Sequence, residues 1–143
     1  MSMFRSYPRK NKSGSMAVYI LESGNSEYAL TTITRIADKR GIRKHGRNMH
    51  LQGARVLIVE DDCVVAMAAN DMVNCLGGIV TGTARSIAAA KEKIRQPGLD
   101  CVMLDLNLNG ELSFCIADEL QERGIPFVIC TTYLADLNAS HAL

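Results

Sequence analysis

Glu60, Asp61 and Asp62 stand together after the apolar run "RVLIV", Asp105 and Asn107 stand two apart after "DCVML", and Thr131 and Thr132 close "PFVIC". Carboxylates crowded at one place repel one another, and the usual remedy is a hard cation such as Mg²⁺, which takes oxygen ligands and keeps several waters. Once that charge is offset, an aspartate can attack phosphorus to give an aspartyl phosphate, while a hydroxyl hydrogen-bonds the oxygens of the transferred group. Asp105 is the natural nucleophile of such a set and Thr131 the natural hydroxyl.

This chemistry requires the three run ends to meet, and the order of elements from Arg55 onward provides for it. "RVLIV" is followed by a helical "CVVAMAANDMVNCLGG", then "GIVTGTA", "SIAAAKEKIRQPG", "DCVML", "LSFCIADELQERG" and "PFVIC". Asp62 caps the first helix and Ser86 the second, Pro97-Gly98 stops the second, and Gly124 with Pro126 stops the third. Apolar strands separated by crossover helices form a parallel sheet covered on both faces, so the expected class is an open α/β fold. In such sheets the ligand site lies beyond the carboxyl ends of the strands, where Glu60, Asp61, Asp105, Asn107 and Thr131 all fall.

The 143 residues carry a net charge of +1 and a hydrophobic share of 48%, which describes a globular protein. The charge is uneven: residues 1–54 hold ten Lys or Arg against three acids, residues 55–143 six against twelve. Residues 1–54 are therefore read as a basic N-terminal extension and 55–143 as the α/β domain. Within the extension, residues 1–15 lack hydrophobic period and are expected to be unstructured, "AVYIL" is a candidate strand, residues 26–40 a candidate helix, and 41–54 a linker. The basic part lacks interleaved aromatics, which argues against nucleic acid, and His45 and His50 read as solvated linker residues. Cys63, Cys75, Cys101, Cys115 and Cys130 form no metal-binding spacing and read as reduced, buried, small side chains; Met67 and Met72 read as core. "MAVYIL" is too short for a signal peptide core or a membrane span, so a cytoplasmic protein with no membrane partner is expected.

From Arg55 to Tyr133 the residues resemble the receiver domains of two-component response regulators. "VLIVEDD" is similar to the family's first strand with its acidic pair, "VMLDLNLNG" to its phosphoacceptor segment, and "GIPFVICTTY" to its fourth strand. The resemblance implies a flavodoxin-like doubly wound sheet in which Asp105 accepts a phosphoryl group. Asp61 and Asp105 would bind Mg²⁺ directly, Asn107 through its backbone carbonyl and Glu60 through water, with Thr131 as the switch hydroxyl. The implied partners are a sensor histidine kinase and a downstream protein, and the implied role is a signalling phosphoacceptor rather than an enzyme. The fourth strand is closest to the subfamily motif Pro-Phe-x-Phe-Ala-Thr-Gly-Tyr, common among receivers partnered with HWE-type kinases. Thr132 replaces its small residue, and that branched bulk would slow phosphotransfer.

The family continues with a fourth helix, a fifth strand ending in Lys and a fifth helix, whereas no Lys follows Tyr133 here. The fifth strand and helix are thus expected to be missing at the C-terminus, and with no output domain following, output would run through a protein contact or phosphate buffering. "FVIC" would then be a bare edge strand. Two resolutions are weighed: "AVYIL" and the helix over residues 26–40 fill the vacated positions, as in a circular permutation, or the domain dimerises through its exposed fourth strand. Two other functions are kept as rivals. One is a pseudo-receiver, an interaction module that is not phosphorylated; the other is a Toprim-like metal-dependent nucleic-acid domain, weakened because Asp61 follows Glu60 and Asn107 replaces a second Asp.

Overall fold

Runs of β-branched and aliphatic residues bounded by Gly, Pro and Asp become strands here because both of their faces find apolar cover. The structure, a computed structural model, describes residues 19–22 and 51–131. Its elements are β1 (Tyr19–Glu22), β2 (Arg55–Val59), α1 (Cys63–Cys75), β3 (Ile79–Ala84), α2 (Ile87–Ile94), β4 (Cys101–Asp105), the short β5 (Asn107–Leu108) and β6 (Glu111–Leu112), α3 (Phe114–Glu122) and β7 (Phe127–Thr131). The unstructured tail expected over residues 1–15, the helix over 26–40, His45, His50 and Thr132 lie outside the described residues.

Five strands form one sheet in the order β1-β7-β4-β2-β3, and every pairing in it is parallel. This is the flavodoxin-like arrangement. Alternation along the strands divides the interior in two. Val56, Ile58, Cys101, Met103 and Val128 join Ala66 and Val73 of α1 on one face, while Leu57, Val59, Val102, Leu104, Phe127 and Ile129 join Ala90 and Ile94 of α2 and Ile116 and Leu120 of α3 on the other. Leu51 and Ala54, from the segment read as a linker, are also buried on the α1 face, and the Leu51 N–H donates to the Leu76 carbonyl at 2.6 Å. The core therefore begins four residues before Arg55.

Two helix starts follow the capping expectation. The Asp62 carboxylate accepts from Val64 N and Val65 N at 2.8 and 3.1 Å, and the Ser86 hydroxyl accepts from Ala89 N at 3.2 Å. Three expectations are corrected. Met67 is 66% exposed, because α1 turns it away from the sheet, whereas Met72 packs against the core. Cys63, Cys75 and Cys115 are exposed on the outer faces of their helices; Cys101 is buried, Cys130 half-buried, and none of the five is in a disulfide. The fourth strand of the α/β unit, β7, is not available for dimerisation, because β1 covers its outer edge with Tyr19, Ile20, Leu21 and Glu22 in register with Val128, Ile129, Cys130 and Thr131. Among the described residues no helix is long and apolar enough to cross a membrane.

Candidate metal and phosphoacceptor site

Register brings the acids together. Val59 of β2 is paired with Leu104 of β4, so the next residues, Glu60 and Asp105, leave the sheet side by side at its carboxyl rim. Both continue the row of alternate positions that faces α1. With Asp61 they present carboxylate oxygens that all lie within 4.8 Å of one another, each side chain half-buried or deeper. On the other side of Asp105, Cys130 of β7 is its register partner, so Thr131 stands one residue further along the rim. Glu60, Asp61 and Asp105 are thus gathered in one cluster. Asn107 borders it on β5, and Asp62 is turned to its capping role.

The hairpin of β5 and β6 holds this cluster in shape. Leu108 is paired with Glu111, leaving Asn109-Gly110 as a two-residue turn with φ of 55° and 87°, the positive pair that a type I′ turn requires. Asn and Gly are the residues that adopt it at least cost. The turn places the Asn109 N–H on the Asp61 carboxylate at 3.0 Å, and the Asn109 side-chain amide donates to the Arg85 carbonyl at 2.9 Å. The Arg85 guanidinium in turn donates to the Asp61 carbonyl at 2.8 and 3.1 Å. Asn107 closes the turn by accepting the Gly110 N–H at 2.8 Å. Buried Ser113 donates its hydroxyl to the Asp105 carbonyl, which fixes the loop leaving β4.

The electrostatics follow from burial and crowding. Glu60 is only 9% exposed, and burial, aided by the charges of Asp105 and Asp61, raises its pKa to about 7 although its carboxylate accepts the Asp62 N–H. Burial likewise raises Asp105, joined by the charge of Asp61 and opposed by the Asn107 N–H at 3.3 Å. Asp61 goes the other way, because the Asn109 N–H stabilises its ionised form. The Cys130 thiol, buried and facing the charges of Asp105 and Glu60, is pushed up to about 12 and stays neutral.

The described ion pairs engage Arg95 and Arg123 with Glu119, not with this cluster. Three converging carboxylate oxygens with no cationic partner among the described residues, two of them driven toward protonation, are what a hard divalent cation would relieve. The donor set fits Mg²⁺.

Asn109, Arg85 and Ser113 were not singled out from sequence. The Asn-Gly pair between two short apolar stretches was a readable signal for the hairpin. Arg85 and Ser113 act through backbone carbonyls brought near by the fold, which no local pattern announces.

The family model for the response regulator receiver domain matches residues 56–143. No curated protein matches the chain. Among solved structures, SdrG from Pseudomonas melonis Fr1 in its BeF3-activated conformation is 35% identical, with 57% of this chain covering 70% of that one at a TM-score of 0.51. PhyR from Brucella abortus is 28% identical, with 55% of this chain aligned and a TM-score of 0.51. The anti-anti-sigma factor PhyR from Bartonella quintana, complexed with the anti-sigma factor NepR, is 26% identical over 53% of this chain, with a TM-score of 0.50. The chain spans about a third of each PhyR chain, 32% in both cases.

Proposed function

The chain belongs to the response regulator receiver domain family, a family of signalling domains, and from that membership we propose that Asp105 is the phosphoacceptor of a two-component pathway. The reaction is transfer of a phosphoryl group from a phosphohistidine of a sensor kinase. A carboxylate oxygen of Asp105 bonds to phosphorus as the P–N bond breaks, and the imidazole leaves with the bonding electron pair. Water later attacks the aspartyl phosphate and returns the free carboxylate. Asp61, Asp105 and the Asn107 carbonyl would hold Mg²⁺, with Glu60 assisting at the same site. When bound, Mg²⁺ supplies the positive charge that lets an anionic phosphoryl group approach an anionic nucleophile.

The chain's own residues prepare that event. Asn109 keeps Asp61 ionised and in place, Ser113 fixes the backbone of Asp105, and Thr131 offers its hydroxyl to an oxygen of the transferred group. The observation that carries the reading is the mutual approach of the Glu60, Asp61 and Asp105 carboxylates at the rim of a parallel sheet. SdrG, a neighbour with a BeF3-activated state, supports a phosphoryl-responsive role. The fourth-strand residues favour an HWE-type kinase as donor, and the absence of a long apolar helix among the described residues is in keeping with a cytoplasmic place. Output runs through a protein contact; PhyR, a third of whose length this chain spans, binds the anti-sigma factor NepR. Family membership leaves the Toprim-like alternative without support.

Intact-mass analysis after incubation with acetyl phosphate tests the proposal. A phosphoryl adduct is expected on the wild type with Mg²⁺, and none without Mg²⁺ or on Asp105→Asn. A folded wild type that takes no adduct overturns it in favour of the pseudo-receiver.

A further inference from the structure

All five strands of the main sheet run parallel, so their carboxyl ends reach a single rim, and β1 reaches it with Glu22. The register is specific: Glu22 is paired with Thr131 of β7, and Leu21 with Cys130, which is itself the partner of Asp105 in β4. At the usual strand spacing Glu22 stands about 5 Å from Thr131 along the backbone, and roughly 10 Å from Asp105, two strands over and one residue along. The segment "YILE" brings no Lys or Arg to this edge. Its one charge has the same sign as the acids already gathered there.

We infer that Glu22 is a fourth acid of the phosphoacceptor rim, placed by the N-terminal strand on the Thr131 side, and that it lowers the affinity of that rim for an anionic phosphoryl group. The N-terminal strand therefore tunes the site as well as completing the sheet, and it makes the phosphorylated state shallow and quick to lose. At a backbone separation of roughly 10 Å, two unit charges in an effective dielectric between those of a protein surface and water repel enough to shift an equilibrium about threefold. Reversing one of them doubles that free energy, which is about tenfold. Salt screens charges separated by more than a Debye length, about 3 Å at 1 M, so the effect falls as salt is raised. A merely structural role for Glu22 would show neither this rank order nor the screening.

The inference rests on Asp105 being the phosphoacceptor, and one set of measurements separates the two. The full chain and its Glu22→Asp, Glu22→Gln and Glu22→Lys variants are titrated with beryllofluoride in Mg²⁺ by ¹⁹F NMR, and each is scored by intact mass after acetyl phosphate. Expected are unchanged affinity for Glu22→Asp, gains of about threefold for Glu22→Gln and about tenfold for Glu22→Lys, and collapse of these differences to under twofold in 1 M salt. An adduct on the wild type with equal midpoints for all four proteins overturns the role of Glu22 alone. No adduct and no beryllofluoride binding on the wild type or on Glu22→Lys overturns the phosphoacceptor reading, and this inference with it.

Discussion

A carboxyl group that is buried beside two others is the most pH-sensitive feature of the rim, and Glu60 is that group. Below its ordinary value of 4.5 it is protonated in both folded and unfolded chains, so it leaves stability unchanged. Between 4.5 and about 7 the unfolded chain has lost the proton while the folded one keeps it, so stability falls as pH rises through this window and the loss is complete above it. In the absence of divalent metal, Glu60→Gln should therefore raise stability at pH 8 by on the order of 2 kcal/mol and have little effect at pH 4. Urea denaturation at the two pH values checks this, and equal gains at both would contradict it. Added Mg²⁺ should recover stability for the wild type at pH 8 and much less for Asp61→Asn, since the cation replaces the missing positive charge only where its ligands remain. These acids were legible in the sequence because each follows an uninterrupted apolar run, and a parallel sheet carries such run ends to one rim. Their pKa values were not legible, because burial depends on neighbours contributed by other strands.

Element geometry decides whether Asp61 is held, and the β5–β6 hairpin is the element that does it. Gly110 sits at φ of 87° with no atom within 4 Å of where a Cβ would be, so Gly110→Ala carries only the conformational cost of that backbone, about 1 kcal/mol. Because the turn also aims the Asn109 N–H at Asp61, the same substitution should weaken Mg²⁺ binding severalfold, whereas Asn109→Gly keeps both the turn and its N–H and should bind as the wild type does. Isothermal titration with Mg²⁺ beside thermal melting tells these apart; tight binding by a destabilised Gly110→Ala would mean that the hairpin does not position Asp61. The larger elements were readable from period and punctuation: α1 and α2 begin at the side-chain caps expected of Asp62 and Ser86, and Gly124 ends α3 with φ of 66°. Apolar identity alone misplaced Met67, Cys63, Cys75 and Cys115. A helix on an open sheet buries only one stripe, and in α1 that stripe is centred on Ala66 and Val73.

The whole molecule raises the question of why a sheet of this order closes on its β7 side with the chain's own N-terminal strand. Phe127, Val128 and Ile129 are buried on both faces of β7, so without β1 the strand would present apolar side chains along a bare row of N–H and C=O groups. This need was legible in the sequence, since "PFVIC" cannot be a stable edge, and "AVYIL" was one of the two ways weighed to meet it; the pairing of Tyr19–Glu22 with residues 128–131 bears out that strand, while its register is settled only by the fold. If β1 is an integral strand, removing residues 1–48 should lower stability by about 2 kcal/mol, the net worth of a few backbone hydrogen bonds, and lower the melting temperature accordingly. Leu51 and Ala54 stay in place under that deletion, so the α1-side core is kept and the loss can be assigned to the sheet edge. The shortened protein should also associate with rising concentration in sedimentation velocity, because the bared β7 becomes the strand-pairing surface that β1 otherwise occupies. A monomer that melts with the full chain would show that β1 is dispensable, and Glu22 would then have no fixed place at the rim; a destabilised, associating product ties the integrity of the sheet and the charge beside Thr131 to the same four residues.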